Sequence, residues 1–533
     1  MAFDMVAAAL CVTATVAGMR FAAWCSAYLA LRGLPGPKGD LVLGQLKDVV
    51  KPDHHRTLFK WACQYGGIYR IRLAHIHAVV VTDPQLIAVV LGKDTEIEKS
   101  IEGVYSHFNT LLHAGGEPNI FTSHTDAYWR LVRKGVAPAF SAKSMRQGFA
   151  HVLAVNQQLV SILAARAGAA VDMDNAALRV TLDVIGRVGF GKDFGATADL
   201  DDCRANAAFD LMSAGRDEGI KRWNNPFRKY LVFIWPSQSV RKGRRKLAAF
   251  QALMAGLLAE VRARGEPAAD DASIAAQLLR IRDPATGRPL PDDRLAAEIG
   301  VFFTGGFETT GHTIAWALLM ISQHAEVEAR VLAELHALRL LPHQPGRRTL
   351  DFEDLARLTY TGQAIKEAMR LMPVLTDGTN RTTLRATQLG VHSIPAGTMV
   401  WVPFGATFAS PQSWERPGEY LPERWDDADA DYARPTGGEA AKQDLADRAA
   451  GRAKRFMPFS LGSRDCVGQS LARMNFTATV AMLLSEFSFR LADEMDGMAS
   501  VRERATSGLL TLQPADGLLM HCTPRGAEVA ASC

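Results

Sequence analysis

Between residues 125 and 375 the chain places apolar side chains at three- and four-residue intervals, as in Leu178–Val188, Leu247–Ala263, Leu295–Met320 and Val331–Leu341. That interval puts them on one face of a helix, and a strand cannot satisfy it. So long a tract must bury its faces helix against helix, which makes the fold mainly α. The exception lies upstream. Residues 68–73 and 78–82 alternate and are β-branched, which predicts two short strands with a turn near His75–His77, so a small β portion accompanies the helical body. With 533 residues, 48% hydrophobic and 22% charged, the chain can bury a large core, which excludes disorder and a small disulfide scaffold. Its 60 Lys+Arg against 56 Asp+Glu leave a charge of +4, too even a balance to imply a nucleic-acid partner. The 7 cysteines are scattered, with no CxxC pair for a zinc or dithiol site, and fit a reducing compartment.

The amino terminus departs from this average. From Ala2 to Met19 the one charge is Asp4, and Arg20, Phe21, Trp24 and Tyr28 follow, so the apolar stretch reaches the ~20 residues of a membrane span. Arg20 would snorkel at the interface beside Trp24 and Tyr28. Arg20, Arg32 and Lys38 follow the span, which by the positive-inside bias leaves the bulk of the chain in the cytosol, as for a single-pass anchor of the endoplasmic reticulum. A cleaved signal peptide is the competing reading, but a basic n-region is missing. The expected division is residues 1–33 as anchor and linker, 34–525 as one body and 526–533 as a tail. Residues 426–455, rich in Asp and Ala and without apolar periodicity, read as a surface insertion.

Three patterns carry chemistry. Phe459-Ser-Leu-Gly-Ser-Arg-Asp-Cys-Val-Gly468 sets Cys466 between Gly462 and Gly468 at the start of a helical stretch. Helix-terminal N–H groups there favour a thiolate, which can ligate a metal; a buried structural cysteine is the alternative. In Gly300–Gly311 the glycines at 300, 305, 306 and 311 interrupt a helical pattern at about 1 kcal/mol each, so something needs the room they leave. Tight helix packing is one answer, yet it does not explain the adjacent acid and hydroxyl of Glu308 and Thr309. Finally, Glu367 and Arg370, like Trp129 and Arg133, share a helical face.

Together these segments resemble the cytochrome P-450 family. Phe459-x-x-Gly-x-Arg464-x-Cys466-x-Gly468 is similar to its haem-binding loop, Glu367-x-x-Arg370 to its Glu-x-x-Arg, and Pro422-Glu423-Arg424-Trp425 to its Pro-Glu-Arg-Phe element. The resemblance implies a P-450 fold, a helical haem domain with a small β-rich subdomain, and haem b with Cys466 as iron ligand. It implies a structural triad of Glu367, Arg370 and Arg424, and propionate contacts from Trp129, Arg133, Arg381 and Arg464. It also implies that Glu308 and Thr309 relay protons to dioxygen on a central helix whose small residues let the backbone open. Two departures stand out: residues 426–455 are longer than the usual connection before the cysteine loop, and Phe408 stands where many relatives carry His; Trp425 is a conservative aromatic change within the matching element.

A thiolate on haem iron favours O–O cleavage. The implied activity is a monooxygenase using O2, a lipophilic small molecule and an NADPH-dependent flavoprotein reductase. Arg130, Lys134, Arg452, Lys454 and Arg455 would form the basic face for that partner. The substrate would meet apolar side chains near Phe108–Leu112, Trp223–Trp235, Phe302–Phe303, Val374–Leu375 and Leu509–Leu510. Two other readings remain: a haem-thiolate isomerase or dehydratase acting on a peroxide, whose relatives tend to lose the acid–Thr pair, and a non-catalytic haem-fold binding protein.

Overall fold

The computed structural model describes Thr15, Gly18, Met19 and residues 21–22, 24–92, 96–99, 105, 108–109, 116–201, 238–427, 431, 453–507 and 511–526. Most of the expected span (residues 2–19), most of the 426–455 insertion and nearly all of the tail lie outside the described residues.

The helical spacing is realised. The helices that frame the centre are, in chain order, α1 (His54–Tyr65), α2 (Pro84–Leu91), α3 (Ala127–Val136), α4 (Ala142–Ala165), α5 (Met173–Val184), α6 (Asp292–Ser322), α7 (Thr359–Leu371) and α8 (Gln469–Glu486). α6 is the spine. Its 31 residues span about 46 Å at the α-helical rise, and from Leu295 to Ile321 most side chains are buried. Such burial explains why its sequence is apolar on nearly every face. Among the described residues α4 is the one helix long and apolar enough to cross a membrane. It packs on α8 and buries Val152, Val155, Leu159 and Leu163 in the common core.

The glycines do not break α6, which is helical without interruption from Asp292 to Ser322. Two of them serve packing. A Cβ on Gly306 would lie 2.6 Å from Ile185 Cδ1, and one on Gly311 would lie 2.9 Å from Leu178 Cδ2. Ile185 opens a π-helical turn (Ile185–Gly189) that continues α5. Gly305 is different, since a Cβ there would meet nothing within 4 Å. The expected opening of the backbone is therefore replaced by an intact helix, with close approach to α5 on one side and free space at Gly305.

The strands gather in a five-stranded sheet of β1 (Ile68–Leu73), β2 (Ile76–Val81), β3 (Ile97–Lys99), β4 (Thr379–Thr383) and β5 (Met399–Val402), in the order β1-β2-β5-β4-β3. β2 starts two residues earlier than the alternation predicts. Leu73 pairs with Ile76, leaving Ala74 and His75 as the turn, and His77 is drawn inside by the Trp24 ring, 4.8 Å away. β3 and β4 are antiparallel, with Lys99 directly opposite Arg381. A smaller core of Leu58, Trp61, Tyr69, Ile71 and Trp401 joins α1 to this sheet.

Candidate active site

The cysteine loop is built by backbone constraints. Cys466 N–H donates to the Phe459 carbonyl at 2.8 Å, which closes the loop. Gly462 sits at φ +75°, where a Cβ would lie 2.0 Å from the Leu91 carbonyl oxygen, so no other residue fits without moving the end of α2. α8 then begins at Gln469 with Gly468 as its N-cap. Cys466 is accessible, yet enough protein surrounds it that burial pushes its thiol above the ordinary range. The Gly468 N–H and Arg133 pull the other way without winning. The helix end alone therefore does not make the thiolate that the sequence reading expects, because desolvation outweighs it. Phe140 links this loop to the spine. It lies 3.7 Å from the Cβ position of Gly468 and stacks on Phe302 of α6 at 6.2 Å.

Beside the loop lies a group of buried cations. Lys99, Arg381 and the largely buried Arg464 lie close enough that Arg381 and Arg464 depress Lys99, and Arg381 depresses Arg464. Burial is the larger cause in each case, and it takes Lys99 down to about 8. Arg464 donates to the Ser123 carbonyl at 2.8 Å, but its Nη1, like Arg381 Nε, finds no partner among the described residues. The Lys99 ammonium rests 4.0 Å from the Tyr105 ring centre and 4.4 Å from that of Phe121. Burial works to raise the Tyr105 phenol, but Lys99 wins and brings it down to about 8. Sequence reading found Arg381 and Arg464 and missed Lys99, whose place depends on the β3–β4 register.

Asp126 caps α3 by accepting from Trp129 N–H at 2.7 Å, which sets the phase of Trp129 and Arg133. Both reach the cysteine loop. Arg133 donates to the Asp465 carbonyl at 2.8 Å and pairs with the Asp465 carboxylate. The Trp129 ring lies 4.5 Å from the Arg464 guanidinium, while its indole N–H donates to the Ile120 carbonyl at 3.1 Å. The two residues expected to hold carboxylates thus hold the loop. Phe459 lies 4.9 Å below Arg473.

On α6 the adjacent acid and hydroxyl point to different partners. Thr309 donates to the Gly305 carbonyl at 3.0 Å, and Glu308 accepts from the Thr511 hydroxyl at 2.7 Å. One turn before Glu308, the buried Thr304 hydroxyl has no partner among the described residues. Phe303 does not join a pocket wall, because it is fully buried against Phe190, Phe194 and Phe307. Trp223–Trp235 and Leu509–Leu510 lie outside the described residues.

Glu367 is the most heavily solvated-by-protein acid of the centre. It accepts from Arg370 at 2.8 and 3.0 Å, from Arg424 at 3.2 Å and from the Trp425 indole at 3.0 Å. Arg370 also donates to the Phe408, Pro417 and Glu419 carbonyls. Phe408 thus contributes a backbone oxygen and a ring packed on Phe404 and Phe456. Of the expected basic face, Arg130 and Lys134 are exposed on α3 and Lys454 is half-buried. Arg455 is not available, since it is buried against Trp414 at 4.1 Å and donates to the Ser413 carbonyl at 2.6 Å. Arg452 lies outside the described residues.

Known proteins share this arrangement of sequence. The cytochrome P-450 family model matches residues 34–519. Cytochrome P-450 714D1 of Oryza sativa subsp. japonica is 26% identical over 89% of this chain and 78% of its own. Cyclooctat-9-en-7-ol 5-monooxygenase of Streptomyces melanosporofaciens is 26% identical over 80% and 83%. Cytochrome P-450 3A29 of Sus scrofa is 22% identical over 93% and 92%. A mainly helical body with small sheets, a cysteine loop at a helix start and a match of this extent give one conclusion: the chain belongs to the cytochrome P-450 family of haem-thiolate monooxygenases.

Proposed function

We propose that the chain is a membrane-anchored monooxygenase that transfers one oxygen atom of O2 into a lipophilic small molecule, with electrons from an NADPH-dependent flavoprotein reductase. The observation that carries this is the buried positive charge beside the cysteine loop. Lys99, Arg381 and Arg464 form a desolvated trio with unsatisfied N–H groups, and desolvated charge of one sign calls for a ligand of the other. The two propionates of haem b fit that need, and an accessible Cys466 beside Arg464 supplies the iron ligand. Haem so held supplies the oxygen-activating chemistry.

The protein's own groups then have distinct tasks. Lys99, Arg381 and Arg464 bind carboxylate. Arg133 holds Asp465, and with it the residue next to the iron ligand; Trp129 supports Arg464. Phe459 and Gly468 bracket Cys466. Glu308 holds and moves a proton at its carboxyl, Thr309 offers a hydroxyl one residue on, and Gly305, where a Cβ would meet nothing within 4 Å, leaves free space one turn before them. Glu367, Arg370 and Arg424 pin the 408–425 segment to α7. The division into anchor (1–33), haem domain (34–525) and tail (526–533) belongs to the same reading, as does placement in the endoplasmic reticulum with the haem domain in the cytosol.

Reconstitution with a flavoprotein reductase, NADPH and labelled dioxygen tests this. A lipophilic compound that shifts the haem spectrum to high spin is expected to yield product carrying one labelled atom. Product formed without label, or without reductase, overturns it in favour of the isomerase class.

A further inference from the structure

We propose that His312, held by Asp174, is the positioning and proton-storing partner of Glu308, so that the acid is reloaded from the seam between α5 and α6. The inference rests on the reading of Glu308 as the acid that supplies protons to the pocket. Glu308 and His312 stand one turn apart on α6, with His312 Nε2 4.0 Å from Glu308 Oε1. The other ring nitrogen, Nδ1, lies 2.7 Å from Asp174 Oδ1 on α5. The His312 side chain is 3% exposed and that of Asp174 10%, so this ring sits between two carboxylates away from bulk water.

The geometry assigns the two nitrogens different work. A carboxylate acceptor at Nδ1 keeps a proton there in either charge state of the ring. Nε2 is then the atom that gains or loses a proton, and it faces Glu308. Asp172, the N-cap of α5, also interacts with Asp174: its carboxyl is pushed up by burial, with Asp174 adding to the shift. Thr511 donates to the same Glu308 oxygen that faces His312, which turns the resting carboxylate towards the ring. At 4.0 Å the two groups are just beyond a hydrogen bond, and a small rotation of the glutamate side chain closes the gap. In the transfer the Nε2–H bond breaks and an O–H bond forms on Glu308. The ring is left neutral with its Nδ1–H still on Asp174, and Nε2 takes its next proton from a hydronium ion that reaches the ring through the small part of the His312 and Asp174 side chains still exposed, 3% and 10%. Rotation of Glu308 the other way carries the proton towards Gly305 and Thr309.

The test uses full-length holoprotein with ring-labelled histidine in the ferrous carbonyl form. The His312 resonance is identified by its loss in His312→Gln. Doubly protonated His312 at neutral pH, becoming singly protonated in Asp174→Asn, is the expected result. In reconstituted turnover, His312→Gln and Asp174→Asn each raise several-fold the share of electrons lost as hydrogen peroxide, with the carbonyl spectrum unchanged. Adding His312→Gln to Glu308→Gln has no further effect. A neutral His312 indifferent to Asp174→Asn, or unchanged coupling in both single variants while Glu308→Gln uncouples, overturns this inference alone. If Glu308→Gln itself leaves coupling unchanged, the underlying reading of Glu308 fails with it. Should either variant lose the carbonyl band, His312→Asn and Asp174→Glu give the same readouts.

Discussion

The Trp425 indole N–H meets the Glu367 carboxylate at 3.0 Å inside the core, beside the guanidinium groups of Arg370 and Arg424. A phenylalanine at 425 would leave that carboxylate one donor short, and Phe408 offers no side-chain donor of its own. Trp425→Phe is therefore expected to cost about 1–3 kcal/mol, the penalty for an unmet buried acceptor. Glu367→Ala leaves two guanidinium groups uncompensated and is expected to cost about 3–5 kcal/mol. Denaturant melts monitored by haem absorbance give both numbers, and equal losses in the two variants would contradict the arrangement.

The cysteine loop should tolerate no side chain at 462. In Gly462→Ala the new methyl faces the Leu91 carbonyl at 2.0 Å, so the cost exceeds the ~1–2 kcal/mol of left-handed backbone alone. Loss of bound haem at normal expression is the expected outcome. Gly305→Ala is the contrasting case on α6, because nothing lies within 4 Å of its Cβ. That variant should fold and hold haem while changing which ligands bind, as read by spectral titration.

The buried cations give a pH dependence with a definite sign. In haem-depleted protein Lys99 titrates near 8, against about 10.4 for an ordinary lysine. The unfolded chain then binds more protons across that window, so stability rises as pH goes from about 8 to 10.4. Tyr105, also lowered to about 8, acts in the same direction. Lys99→Met removes the lysine part of that slope and, because Lys99 is what holds Tyr105 down against burial, the tyrosine part with it; it raises stability below pH 8 in haem-depleted protein, while haem dissociates faster from the loaded form. Melting temperatures over this range check the slope, and a stability that falls with pH would refute it.

Much of the centre was legible because its chemistry is local in sequence. The loop around Cys466, the Glu367/Arg370 face, and Trp129 with Arg133 lie within a turn or a short loop, and each reaches the centre. What was not legible depends on pairs far apart in the chain. Lys99 joins Arg381 through strand register, and Asp174 reaches His312 across 138 positions. Burial could not be read from charge either. Arg455 has the composition of a docking surface, but Trp414 covers it. The glycines of α6 show the same limit, since Gly305 and Gly306 are neighbours in sequence and face opposite situations in space.

Reductase docking rests on a smaller face than composition implies. Arg130 and Lys134 are exposed on α3, the helix that also grips Asp465 beside Cys466. Reversing both charges should slow reductase association at low ionic strength and lose its effect at high salt. Arg455→Glu should instead destabilise the fold. Stopped-flow reduction at two salt concentrations separates the two, and a salt-independent defect in the α3 variant would remove the steering argument.

Replacement of the sulfur is the most direct test of the whole account. In Cys466→Ser the ferrous carbonyl complex should lose the red-shifted Soret band of a thiolate-ligated haem, with the helical circular dichroism retained. A serine variant that keeps that band would mean that the iron is bound elsewhere.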